Sequence, residues 1–184
     1  MVKLTTTILL IVFCLFISTP NYANSRNLGI EKVARLHVFV HDFRAGGPNA
    51  TVFTVANASI TATSPTGFGS VRVVDDLVTV GADISSAAVG RVQGLTVSAD
   101  LVANAVAVGL NFVFASGRYN GSTVSVAGRN EVLLPARELP VIGGTGVFRL
   151  ARGYATTSTY SFDVAKNYAV LEYKIYVVYS DVRF

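Results

Sequence analysis

Cysteine is nearly missing from this 184-residue chain: Cys14 is the only one, and Met1 is the only methionine. Tryptophan does not occur, and charged residues make up only 14% of the sequence. Each shortage excludes something. One cysteine cannot form an internal disulfide, a Cys-X-X-Cys redox pair or a thiolate-rich zinc site. The only histidines, His37 and His41, are four positions apart. On an extended strand they share a face at a separation of about 13 Å, too far for one zinc ion to bridge. No Gly-X-Ser-X-Gly elbow marks a serine nucleophile. Gly143-Gly144-Thr145-Gly146 lacks the Lys-Ser/Thr that a phosphate loop requires and leads into a strand pattern, so it reads as a tight turn. Chemistry without a metal or cofactor is what remains. The net charge of +4 comes from scattered arginines, with no aromatic-interleaved basic run of the kind that binds nucleic acid.

The first residues pattern as a secretory signal over residues 1–23. Lys3 opens it, an apolar run follows over residues 8–17, and Ala23 supplies a small residue before the cut. That run is shorter than the roughly 20 residues of a membrane span, and Pro20-Asn21 interrupts it, so no membrane partner is expected. Cleavage removes both Cys14 and Met1 and predicts a secreted chain without disulfides. An N-terminal arm (24–34) then precedes a single domain (35–184), long enough to bury roughly 70% of its unfolded surface. Three sequons, at Asn49, Asn57 and Asn120, gain weight behind such a leader. Asn120 sits in a Tyr-Asn-Gly turn and Asn49 in a loop, whereas use of Asn57 depends on the strand face it takes.

Beyond residue 34 the hydrophobic period is two. Candidate strands cover residues 36–41, 51–56, 71–74, 89–99, 106–115, 123–127, 146–159 and 169–179. Gly-Pro, Gly-Gly and Asn-containing turns separate them. The pattern predicts an all-β, eight-stranded antiparallel β-barrel, whose interior can hold one small ligand. The last segment reads as apolar on both faces, as for a strand packed on the core and on a neighbouring subunit.

Acidic residues are few, seven Asp and four Glu, so their positions carry information. Asp42 shares a strand face with Val38 and Val40 and would point inward, where desolvation favours a proton donor; it would equally serve as a strand-end turn residue. Of the adjacent Asp75 and Asp76, at most one faces the interior. An arginine inside an apolar barrel would need a carboxylate partner. Tyr119 and Tyr154 offer a ring face and a hydroxyl to a phenol, or simply form wall and rim.

Five motifs fall in a particular order: His41-Asp42-Phe43; Val73-Val74-Asp75-Asp76; Val89-Gly90-Arg91-Val92-Gln93-Gly94; Arg118-Tyr119-Asn120-Gly121 running on to Gly128-Arg129-Asn130; and Gly143-Gly144-Thr145-Gly146. With this spacing the chain resembles the plant dirigent protein family over roughly residues 35–180. The resemblance implies an eight-stranded barrel assembling as a homo-oligomer, a trimer or dimer. It places Asp42 and Arg137 in catalytic positions, with Asp75, Arg91, Tyr119, Asn130 and Tyr154 around a phenolic substrate. It implies a cofactor-free protein of the extracellular space and cell wall. That protein would impart stereoselectivity on coupling of phenoxy radicals, such as those of coniferyl alcohol, made by an external laccase or peroxidase. Two departures point to a branch other than the lignan-forming one: Gly128-Arg129-Asn130 stands where those members have Gly-Ala-Asp, and their cysteine pair is missing. A cyclase or dehydratase acting on a quinone methide, or a passive binder of phenolics, are the other readings.

Overall fold

The computed structural model describes residues 29–44 and 46–180. The expected signal peptide and Cys14 lie outside the described residues. Nine strands follow one another: β1 (Glu31–Phe43), β2 (Val52–Ala56), β3 (Val71–Thr79), β4 (Ala88–Ser98), β5 (Ala105–Phe114), β6 (Thr123–Glu131), β7 (Arg137–Thr145), β8 (Arg152–Asp163) and β9 (Tyr168–Ser180). Every pairing is antiparallel, in the order β1-β9-β8-β7-β6-β5-β4-β3, and β1 pairs back onto β3 to close the ring. The result is a closed eight-stranded barrel. β3 pairs with β1 through Leu77–Thr79 and with β2 through Val71–Val74, so β2 continues the wall that β1 leaves at Phe43.

Closure requires the strands to coil, and glycine permits this where no side chain fits. At Gly94 (φ +155°) a Cβ would sit 2.0 Å from the carbonyl oxygen of Gly109 on the neighbouring strand.

Two sequence expectations are corrected. Arg137–Thr145 is a strand that the pattern reading left out, and the pair Gly143-Gly144, read as a break, belongs to it. Alternation is present there, with Arg137, Leu139 and Val141 buried and Glu138, Pro140 and Ile142 outward, but Pro140 and the glycine pair disguise it. Pairing of β7 with β6 stops at Val141, beside that proline. The segment expected as one strand from residue 146 opens instead with a 3-10 turn, Gly146–Phe148, and pairs only from Arg152. β9 is the second correction. Tyr173, Ile175 and Val177 are buried inside the barrel while Lys174 is exposed outside, so the strand alternates after all.

The interior has two halves. One is packed solid around Phe112, Phe114, Val124, Val126, Leu139, Phe148 and Ile175. The other stays open to the mouth of the barrel.

Candidate functional site

The open half is a cavity of about 610 Å³. Val92, Val108, Leu110 and Tyr173 line its apolar part, and Asp42, Arg44, Asp76, Asn130 and Arg137 bring polar atoms to it. A cavity of this size, mainly apolar with a few convergent polar groups, matches a small-molecule site.

Strand parity explains the polar set. In β1 the inward positions are Val38, Val40 and Asp42; His37 and His41 point outward, His37 bonding Glu172 at 2.7 Å. His41 is buried outside the wall, between the Tyr168 hydroxyl (2.5 Å) and Thr79 Oγ1 (2.7 Å), and burial lowers its pKa. Going around the ring, β6 lies four strands from β1 and β7 four from β3. Asp42 and Asn130 are therefore on opposite walls, as are Asp76 and Arg137. Of the adjacent pair on β3, Asp76 takes the inward position. Asp75 faces outward, where Arg91 Nε donates to it at 2.5 Å and Gln93 Nε2 at 3.0 Å.

The two cavity carboxyls differ in surroundings. The Arg44 guanidinium grips Asp42, with Nε 2.9 Å from both oxygens and Nη2 2.5 Å from Oδ2. Asp76 is only 2% exposed and has no arginine bonded to it among the described residues. Burial, followed by the nearby charge of Asp42, pushes its pKa up to about 8. At neutral pH Asp76 is a neutral acid beside an arginine-bound carboxylate. The Thr51 hydroxyl, which accepts from the Phe43 amide at 3.1 Å, donates to Asp76 Oδ1 at 2.5 Å, so Oδ2 is the oxygen left to carry the proton.

Arg137 is 7% exposed and has no carboxylate partner among the described residues, contrary to the sequence expectation. Its Nη1 donates instead to the carbonyls of Val132 (3.1 Å) and Leu134 (3.3 Å) and to Thr159 Oγ1 (3.1 Å). Burial pulls its pKa below the ordinary arginine value. Those oxygens hold the head group in place without neutralising it. Burial also pushes the Tyr173 hydroxyl up to about 12, so it stays a neutral phenol.

The structure thus brings Asp42, Asn130 and Arg137 together from the set read in the sequence. It does not bring Asp75, Arg91, Tyr119 or Tyr154 to the cavity. Tyr154 is 44% exposed on the outer face, stacked on Tyr176 with ring centroids 5.6 Å apart. Tyr119 is buried at the packed end against Phe148, with centroids 4.7 Å apart. Arg44 and Arg72 were missed. Asp76 was legible in part, since Val74 and Asp76 share parity, but nothing local says which face of β3 is inside. Asn49, Asn57 and Asn120 are all exposed.

Comparison with known proteins gives a consistent set of matches. The family model for dirigent-like proteins matches residues 33–178. Dirigent protein 21 of Arabidopsis thaliana is 46% identical over 147 residues, covering 80% of this chain and 77% of the relative. Pterocarpan synthase 1 of Glycyrrhiza echinata is 38% identical over 148 residues, covering 80% and 78%. The solved structure of a pterocarpan synthase dirigent protein superposes with a TM-score of 0.73 at 38% identity, covering 82% of this chain and 90% of that one.

Proposed function

This chain belongs to the dirigent-like protein family, and from that premise we propose that it sets the stereochemistry of bond formation in a phenolic quinone methide held inside the barrel. One observation carries the reading: a neutral acid, Asp76, stands across the cavity from Arg137, a buried cation with no carboxylate of its own. A quinone methide needs such a pair. Its carbonyl oxygen becomes a phenolate as a nucleophile closes on the exocyclic carbon, and that developing charge is met by a guanidinium or quenched by an acid.

In the ring closure, a hydroxyl of the substrate attacks the exocyclic carbon. Its proton passes to the Asp42 carboxylate, and the quinone oxygen takes the proton of Asp76 Oδ2. Atoms balance as an isomerisation, with the proton returned between the two carboxyls through solvent at the mouth. The same acid can generate the quinone methide from a 4-hydroxybenzylic alcohol: the departing hydroxyl takes the proton of Asp76 and leaves as water, while the phenol O–H gives its proton to solvent at the mouth, which restores the acid. The apolar wall of Val92, Val108 and Leu110 fixes which face is presented, and about 1.4 kcal/mol between the two approaches already gives tenfold selectivity.

Asymmetric coupling of phenoxy radicals supplied by an external laccase or peroxidase is the second reading, favoured by the 46% identity to a protein named dirigent. Incubation of the purified protein with a 4-hydroxybenzylic alcohol bearing a second phenol, with no oxidant, separates the two. Optically active cyclised product that disappears in Asp76→Asn supports the ring-closing reading. A racemic mixture identical to the protein-free control, alongside enantiomeric excess from a monolignol plus a one-electron oxidant, would replace it with radical coupling. Secretion to the cell wall, glycans on the exposed sequons and a homo-oligomer fit this chemistry and are part of the proposal.

A further inference from the structure

The ring-closing chemistry uses Asp42, Asp76 and Arg137, yet the cavity has another polar wall. Arg72 on β3, Ser98 on β4 and Asn130 on β6 line it. Arg72 reaches only Ser98, its Nη1 donating to Oγ at 3.3 Å, and no carboxylate binds it among the described residues. Ser98 accepts that bond and retains its own O–H to donate. Ser98 and Asn130 both pair with Val106 of β5, one from each side, so their backbones are two strands apart, about 10 Å. Asn130 Oδ1 is buried and has no hydrogen-bond partner among the described residues, and the residue lines the cavity with an amide that can donate. Arg72, Ser98 and the Asn130 amide can each donate into the cavity, and Arg72 carries a full positive charge.

Charge over the whole cavity agrees. The Asp42 carboxylate is matched by Arg44, and Arg72 and Arg137 remain unmatched. A phenolate at Arg137 would neutralise one of them. A neutral phenolic alcohol would leave Arg72 facing a mostly apolar cavity with nothing to balance it.

We propose that the substrate carries a carboxylate in addition to its phenol, and that Arg72, Ser98 and Asn130 receive that carboxylate. Arg72 forms the charge-assisted contact, while the Ser98 hydroxyl and the Asn130 amide donate to the remaining lone pairs. The substrate class is then a phenol that also bears a carboxylic acid, for which a simple hydroxycinnamate is a binding probe. This rests on the reading that the cavity takes phenols, but it is a claim about binding and is tested without turnover.

Titration calorimetry at pH 7 and low salt, with 4-hydroxy-3-methoxycinnamate and its alcohol as probes, gives the test. The acid is expected to bind about tenfold or more tightly than the alcohol. Arg72→Gln should erase the preference, Arg72→Lys should keep part of it, and Asn130→Asp, which places a like charge on the wall, should reverse it. Equal affinities, a preference that survives Arg72→Gln, or no binding of the acid at millimolar concentration would each overturn the inference. The two proposals fail separately. Stereoselective closure of a neutral phenol with no acid preference sinks only the carboxylate subsite, and an intact acid preference without stereoselectivity sinks only the ring-closing reading.

Discussion

The two ends of this barrel are built from the same strands and answer opposite demands. At the closed end Phe114, Tyr119, Phe148 and Tyr179 interlock, with Phe148 centroids 4.7 to 5.8 Å from its three neighbours. At the open end the barrel presents Asp42, Asp76, Asn130 and Arg137 around a cavity. β1 runs from buried Ala34 to buried Asp42, and β6 from buried Val124 to buried Asn130. Each strand is thus apolar inside at one end and polar inside at the other. The packed end supplies the burial that stabilises the fold, and the open end holds desolvated ionisable groups that cost stability and carry chemistry.

Breaking the open end should affect activity most. Asp76→Asn removes the proton donor and is expected to lower stereoselective turnover by roughly 10²- to 10⁴-fold, read by chiral chromatography. The same change should make the protein more stable at pH 7. The Asp76 pKa is raised from 3.8 to about 8, so between those values the native state binds a proton that the unfolded chain has lost. Stability therefore falls as pH rises from about 4 to 8, with a ceiling of about 6 kcal/mol for this group, and asparagine abolishes that slope. Denaturant midpoints measured at pH 5 and pH 8 check both the sign and its loss. Turnover of the native protein should also decline above about pH 8, as the acid ionises.

Breaking the closed end should do the reverse. Phe148→Ala removes a fully buried ring and is expected to cost about 3–5 kcal/mol in denaturant unfolding. The pH slope due to Asp76 should survive. Arg137→Met ranks next. It removes the cation facing the phenolate and is expected to weaken phenol binding about 10- to 100-fold by calorimetry, leaving the closed end intact.

How much of this contrast could be read from sequence follows from its physical source. Period-two alternation over residues 36–41 and 106–115 predicts strands and their inward sets, and both β1 and β5 follow it. Asp42 was legible because Val38 and Val40 mark the buried face locally. Asp76 was legible only as one of a pair: Asp75 and Asp76 are chemically identical, and the inside of β3 is decided by its pairing with β1, β2 and β4. Tyr154 and Arg91 were misplaced for a related reason, since aromatic and arginine side chains suit either face of a barrel. β7 escaped because one proline and two glycines outweigh alternation in any short window.

The smallest effect is the sharpest test of how strictly the closed end excludes polar chemistry. The Tyr119 hydroxyl is buried there without a partner at good hydrogen-bonding geometry among the described residues, although the Arg118 guanidinium, 4.5 Å over its ring, and the Tyr179 hydroxyl are close enough to act on it. A buried hydroxyl without a partner costs about 1–3 kcal/mol, whereas the ring that carries it fills space against Phe114 and Phe148. Tyr119→Phe keeps the ring and removes the oxygen. The change should leave stability equal or raise it by about 1 kcal/mol, and product stereochemistry should not move. A loss of stability would mean that the hydroxyl is bonded through water and that the closed end is not dry. A change in product handedness would mean that the two ends are not independent.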